Sequence, residues 1–482
     1  MTLVQLDPRT APPFPTAAHT LLRDTQLRKN LAHATDVIQR KRNALVAEKA
    51  DWQALRDAGA AIRREALRHL DRYLEQFEER CTAAGGVVHW AQDAAEARDI
   101  VLRLLREQAA TEVIKIKSMT TAEIDLNSFL EGQGIRAHET DLAEIILQLG
   151  GDQPSHIVVP ALHKNRQQVR EIFARSMNLP DLSDDPHALT AAARGYLRQK
   201  FLTVKTAICG ANFLVAETGA VCIVESEGNG RMCLTLPDTL IAIAGIEKVI
   251  PRFSDLAVLL QTLPRSATGE RMNPYNSIWT GVTSGDGPKR FHVILLDNGR
   301  SAILGDRTAR QTLQCIRCGA CQNTCPVYRQ TGGHAYGSVY AGPIGAILTP
   351  QLLQMQHGES LPYASSLCGA CYDVCPVKIN IPEVLVYLRG KVVARQRGLR
   401  SSLDQERVGM KMMARIFRSR GRFEIAQRLG QLGQKPFVSS DGWMHTLPGM
   451  AGKWTVARDL KAIPRESFRA WWQKNRAAKA RS

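Results

Sequence analysis

The sequence predicts an α/β domain, then an α-helical domain built around cysteines, then a basic helical extension. Three observations predict it. Short β-rich runs alternate with helical stretches ahead of residue 305. Seven cysteines fall between Cys315 and Cys375. From Arg389 onward there are 22 Lys and Arg against 6 Asp and Glu, so nearly all of the net charge of +17 belongs to the tail. These features set the expected boundaries: a helical segment at 1–70, the α/β domain at 71–305, the cysteine domain at 306–395 and the basic extension at 396–482.

The first segment is rich in Ala, Arg, Leu and Glu, and Trp52, Leu55, Ile62, Leu67 and Leu70 recur at helical intervals. The runs VIKIKSM (113–119), HIVVPA (156–161), ANFLVAET (211–218), AVCIVESE (220–227) and FHVILLD (291–297) read as strands. ARDIVLRLLREQA and QQVREIFARSM read as helices between some of them, the pattern of a mostly parallel sheet covered by helices. ANFLVAET and AVCIVES, joined at Gly219, read as a hairpin. Neither G-x-G-x-x-G after a strand nor a Walker loop is present, and EGNGRM (227–232) fits neither phosphate motif. Cys81, Cys209, Cys222 and Cys233 lack paired spacing, and Cys222 reads as a buried apolar filler. The longest apolar candidate, TLIAIAGIEKVI, is short and interrupted by charge, so no membrane span is expected. The opening MTLVQLDPRTAPPFP lacks the apolar region of a secretory signal, which argues against disulfides.

Cys315, Cys318, Cys321 and Cys325 form C-x2-C-x2-C-x3-C closed by Pro326; Cys368, Cys371 and Cys375 form C-x2-C-x3-C closed by Pro376. The first run has the bacterial ferredoxin spacing, in which the fourth cysteine serves the other cluster of a pair. Three closely spaced thiolates wrap one side of a cubane cluster, and the proline then turns the chain away. A structural zinc site would take four ligands in paired spacing instead. Two clusters are therefore expected: one on Cys315, Cys318, Cys321 and Cys375, the other on Cys325, Cys368 and Cys371. Counted back from Pro376, the missing ligand falls on Ser365. The open corner is left to a Ser365 alkoxide, another side chain, a partner, substrate or water, or to a three-iron cluster. It is also where chemistry beyond electron transfer is expected. His334, in the Gly-rich spacer with Tyr336 and Tyr340, is a candidate ligand or proton relay. Val384, Leu385, Leu388 and Val392 then repeat at helical spacing, marking an α-helical ferredoxin domain.

With these strings in view, nearly the whole chain resembles the lactate utilisation protein B family, the iron–sulfur subunit of the bacterial L-lactate utilisation system. The resemblance is carried by KSMTTAEIDLN (117–127), ETDLAEIILQL (139–149), PSHIVVPALHKNR (154–166), AETGAVCIVESEGNGRM (216–232), CIRCGACQNTCPVYRQTGGHAYGSVYAGPIGAILTP (315–350) and CGACYDVCPVKINIP (368–382). It implies that the α/β region is an LUD domain, related to the sugar-phosphate isomerase (NagB/RpiA) and CoA-transferase class. It implies two 4Fe–4S clusters divided as above. It also implies a complex with lactate utilisation proteins A and C that oxidises L-lactate to pyruvate, with this chain as electron relay. A cytoplasmic location follows.

Within the LUD region, Glu217, Glu225, Glu227, Asn229 and Arg231 cluster on the hairpin and the loop after it. Glu225 or Glu227 is a candidate base, and Arg231 a candidate carboxylate holder. The tail holds Trp443, Trp454, Trp471 and Trp472, and VGMKMMARIF sets Val408, Met412, Met413 and Ile416 on one side of a helix. It is read as an extension packed on its own protein or a partner, with peripheral contact to the inner face of the membrane as the alternative. Nucleic acid ranks below both, for want of a binding motif. Three rival functions remain: electron transfer from another 2-hydroxy acid such as glycolate, a redox-sensing regulator binding nucleic acid through the tail, and an LUD-domain transferase with structural clusters.

Overall fold

A computed structural model of the protein describes residues 6–399, 405–456 and 458–479. The extreme ends of the helical segment and of the basic extension, and the junction at 400–404, lie outside those residues. The chain forms two compact units, Met1–Val392 and Val393–Ser482.

In the first unit the helical segment comprises Phe14–Leu21, Thr25–Ala47, Trp52–Arg68 and Leu70–Ala83. Trp52, Leu55, Leu67 and Leu70 are buried, as their spacing predicts. The strands that follow are β1 (Val87–Ala91), β2 (Glu112–Lys115), β3 (Arg136–Glu139), β4 (Thr206–Cys209), β5 (Phe213–Val215), β6 (Ala220–Glu225), β7 (Thr239–Gly245), β8 (Val249–Ile250), β9 (Tyr275–Trp279) and β10 (Arg290–Leu296). Six of them form a parallel sheet in the order β1-β10-β7-β4-β2-β3. Helices such as Ala94–Arg106, started by Asp93 accepting from the amides of Ala95 and Glu96, connect them. The central strands β4 and β7 are buried along their whole length, as expected of a sheet covered on both faces.

A second sheet, β8-β5-β6-β9, lies beside the first. Its β5–β6 hairpin pairs Val215 with Ala220 and turns at Gly219, whose φ of +68° suits glycine. Cys222 is buried in it.

HIVVPA is a loop rather than the expected strand. Its amides are taken by side chains: Val158 and Val159 N donate to His156 Nδ1, each at 3.0 Å, and Ile157 N donates to Gln322 Oε1 at 3.2 Å. Pro160 offers no amide, and its carbonyl accepts from Ser155 N at 3.0 Å. The apolar side chains are present, but the ladder donors are spent on His156 within the segment and on Gln322 of the cysteine domain.

The cysteine domain is helical, with Gly342–Leu352 in the spacer and Ile381–Leu399 after the last cysteine. Val384, Leu385, Leu388 and Val392 are buried. The helical segment grips this domain through carbonyl oxygens. Arg56 donates to Cys375 O at 2.9 Å and Tyr372 O at 3.0 Å, and Arg42 to Val374 O at 3.2 Å. Arg63, fully buried, donates to Val249 O at 2.9 Å, to Leu313 O at 3.1 Å, to Gln314 O at 3.3 Å and to Glu247 O.

A buried ionic chain runs through the same region. Arg300 makes a bidentate pair with Glu123, 2.8 Å on each arm, and meets Glu247 at 2.5 Å; Arg317 reaches Glu247 at 3.3 Å. The second unit contains helices Gln405–Phe417, Arg420–Gly433 and Phe468–Lys479 and a short β-pair, Trp443–Met444 with Leu460–Lys461. The first two of these helices bury no residue, and Val408, Met412 and Met413 are exposed.

Arg300→Leu should lower the urea-unfolding free energy by on the order of 3–5 kcal/mol, because it strands two buried carboxylates. Lys289→Ala, which breaks an exposed pair with Asp238, should leave it nearly unchanged. Burial pushes the Glu247 carboxyl up, but Arg300 and Arg317 pull it down further, to about 2 from 4.5. Its contribution is therefore complete above pH 4.5 and lost as the pH falls toward 2. Acid titration of the Arg300→Leu variant should show a smaller loss over that window than the native chain does.

Candidate iron–sulfur centre and adjoining cavity

The cysteines sit on two loops with the same local geometry. In the first, Arg317 and Gly319 flank Cys318 with φ of +62° and +72°; in the second, Leu367 and Gly369 flank Cys368 with φ of +56° and +87°. Each loop then enters a short helix, Ala320–Thr324 or Ala370–Asp373, and leaves through Cys-Pro. Backbone amides face three sulfurs: Arg317 N lies 3.4 Å from Cys315 Sγ, Tyr328 N 3.5 Å from Cys325 Sγ and Ile379 N 3.4 Å from Cys375 Sγ.

The sulfurs of the two loops lie close enough to act on one another. Cys318 feels the charges of Cys375 and Cys315, and Cys321 those of Cys315, Cys318 and Cys371. Cys371 feels Cys325 and Cys368. Burial pushes the Cys371 thiol up to about 12 and Cys375 to about 11, and raises Cys318, Cys321 and Cys325 as well. Such thiols give up their protons only to a metal that takes the charge. Among the described residues, one trio of His, Cys, Asp or Glu ligand atoms is tight enough for a single ion, Asp152, His163 and His334, and it contains no cysteine. The wider spread of the sulfurs suits a multi-iron cluster, so the donor set fits the group. Arg42, close to Cys318 and Cys375, and Arg63, Lys248 and Arg317, close to Cys315, offset the negative charge such a cluster carries.

Ser365 occupies the place of the missing cysteine in fine detail. Leu367 N donates to Ser365 Oγ at 3.1 Å, the counterpart of Arg317 N on Cys315 Sγ. Its carbonyl is held by Arg389 Nη2 at 3.3 Å. The surroundings of the two loops differ. Cys368 is exposed, and Tyr363, Leu367 and Tyr372 are exposed nearby, whereas Cys315 is half-buried and lies two residues before Arg317, which lines a cavity.

That cavity, about 420 Å³, opens at the carboxyl ends of the adjacent strands β7, β4, β2 and β3. Its lining includes Lys117, Asp141, Glu225, Glu227, Asn229, Lys248 and Arg317. Three of the five expected LUD-site residues thus line it. Glu225 is committed to the amides of Gly230 and Arg231, 2.7 Å each, so it caps a helix rather than standing free as a base. Glu227 accepts from Leu142 N at 2.9 Å; burial, then the charge of Asp141, pushes its carboxyl up to about 7. Asn229 donates to Thr140 Oγ1 at 3.1 Å. Glu217 lies outside the lining, bonded to Phe253 N at 2.8 Å. Arg231 also lies outside it, with its guanidinium 5.3 Å from the centre of the Tyr275 ring. The cations of the cavity are instead Lys117, Lys248 and Arg317. His334 bonds Gln153 O at 2.9 Å and packs edge-on against His163; its contacts are with these two rather than with a cysteine.

A parallel α/β domain joined to a paired-loop cysteine domain defines an iron–sulfur protein of LUD architecture: residues 74–296 match the LUD domain family and 311–379 the 4Fe-4S dicluster domain family. The chain is 42% identical to lactate utilization protein B of Oceanobacillus iheyensis over 92% of its length and 93% of that protein's. It is 42% identical to lactate utilization protein B of an Exiguobacterium species, over 94% and 95% of the two chains. It is 41% identical to the uncharacterized electron transport protein YkgF of Escherichia coli, over 96% and 97%. The chain belongs to the lactate utilization protein B family.

Ser365→Cys should fold as the native chain does and, after anaerobic reconstitution, resist iron loss. Brief exposure to air should then give a weaker three-iron EPR signal than in the native protein. An equal signal would mean that position 365 does not face the iron.

Proposed function

We propose that this chain is the iron–sulfur electron-transfer subunit of a complex oxidising L-lactate to pyruvate, with lactate utilisation proteins A and C as its partners. The observation that carries the proposal is the convergence of seven cysteines on two loops of matching backbone geometry. Cys315, Cys318, Cys321 and Cys375 would hold one 4Fe–4S cluster, and Cys325, Cys368 and Cys371, with Ser365 at the fourth corner, a second. Converting lactate to pyruvate removes two electrons and two protons, and two such clusters when bound accept one electron each. The remaining work falls to the protein. Arg42, Arg56 and Arg63 hold the cysteine loops by their carbonyls, and burial keeps water from Cys318, Cys321, Cys325, Cys371 and Cys375. The names of the relatives supply the lactate reading, and the cavity beside Cys315 supports a small-molecule partner near the first set. Among the described residues no helix is long and apolar enough to cross a membrane.

With the complex reconstituted anaerobically from its three proteins, L-lactate should bleach the iron–sulfur absorbance and yield pyruvate. Cys321→Ala should abolish the bleaching. Bleaching by glycolate but not by lactate would reassign the substrate, and no bleaching by any 2-hydroxy acid would sink the electron-transfer reading.

A further inference from the structure

We propose that the cavity beside Cys315 binds the carboxylate of a small 2-hydroxy or 2-oxo acid, and that Lys248 is its anchor. This deepens the reading above by placing the substrate on this chain rather than on a partner.

Lys248 is 7% exposed, lines the cavity, and makes no hydrogen bond or ion pair among the described residues. The charges of Glu247 and Cys315 act on it, but Glu247 makes its ion pairs with Arg300 and Arg317. Arg317 lines the same cavity, and its Nη1 is buried without a partner. An anion entering the cavity would therefore meet two cations among its lining residues.

The rest of the lining narrows the class of anion. Asp141, Glu225 and Glu227 face the same cavity, and a polyanion such as a nucleotide would meet them at close range. A monoanion carrying a hydroxyl or carbonyl suits both ends: its carboxylate on Lys248 and Arg317, its hydroxyl toward Glu227. Ile157, Val158 and Leu263 supply an apolar wall for a short alkyl group. Position agrees with chemistry, since ligands of open parallel sheets bind beyond the carboxyl ends of the strands. At about 420 Å³ the cavity exceeds a three-carbon acid, and with about 30 Å³ for each water it has room for several bridging waters as well.

The test uses the single chain with its clusters loaded, reduced beforehand so that no turnover occurs. Pyruvate and L-lactate are titrated by calorimetry, with sulfate as the control anion, and the EPR spectrum of the reduced clusters is recorded with and without pyruvate. Binding by both acids but not by sulfate is expected, with a pyruvate-dependent EPR change. Lys248→Met should weaken pyruvate binding at least tenfold and remove the EPR change, and Lys248→Arg should keep part of both. Equal binding by Lys248→Met, with its melting temperature unchanged, overturns the proposal. So does sulfate binding as tightly as pyruvate. If neither acid binds the native chain while the reconstituted complex is still bleached by lactate, the cations only balance cluster charge. The substrate then sits on a partner, and the electron-transfer reading stands.

Discussion

Everything that makes the first cysteine loop useful hangs on the buried chain Glu123–Arg300–Glu247–Arg317. Arg300 and Glu247 are each about 1% exposed, so two guanidinium groups and two carboxylates have been taken out of water together. Such a group is stable only when nearly every donor and acceptor is matched. Here Glu123 accepts from Arg300, Asn298 and Tyr340, and Arg317 lies over the Tyr340 ring, 4.7 Å from its centre. The chain begins in the α/β domain and ends two residues past Cys315, so it ties the sheet to the loop that carries the first sulfurs. Gly245 makes room for it: a Cβ there would collide with Glu247 Oε2 and Arg300 Nε.

The same network adjoins the cavity. Glu247 makes its ion pairs with two arginines, and the adjacent Lys248 lines the open space. Burial, then the charge of Arg317, lowers its ammonium to about 8, against the pull of Glu247 and Cys315. Lys248 and Arg317 thus share Glu247 as a charged neighbour where the carboxyl ends of the sheet meet the cysteine domain.

Much of this was legible in the sequence, and the residues show why the rest was not. The cysteine spacing is a local covalent constraint, so register alone located both loops and singled out Ser365, whose Oγ accepts the amide two residues on as Cys315 Sγ does. The β5–β6 hairpin was equally local, turning on Gly219. HIVVPA has the composition of a strand, yet its amides are captured by His156 and by Gln322, which is remote in sequence. Arg231 seemed the natural anion holder because it is near Glu225 and Glu227 in sequence, but its guanidinium lies over Tyr275. The cavity cations come instead from just beyond the ends of β2 and β7 and from the first cysteine loop. One signal did exist: the Glu-Lys pair that breaks TLIAIAGIEKVI. A charged pair inside a buried run has to be held by something, and reading it only as an obstacle to crossing a membrane missed Glu247 and Lys248 together.

Divided as proposed, the two cysteine sets differ in exposure. The first is held by arginines of the helical segment and lies two residues from Arg317, which lines the cavity. The second has Cys368 at the surface among exposed Tyr363, Leu367 and Tyr372, and its fourth position carries a serine. Electron transfer between proteins needs a cluster edge close to the partner, and transient redox contacts are small. The buried set is therefore suited to receive electrons near the cavity and the exposed set to pass them outward. On this view Ser365 need not mark a catalytic corner. Within a set that must lie near solvent, its hydroxyl accepts the amide of Leu367 as Cys315 accepts that of Arg317, preserving the loop where the thiolate has been given up.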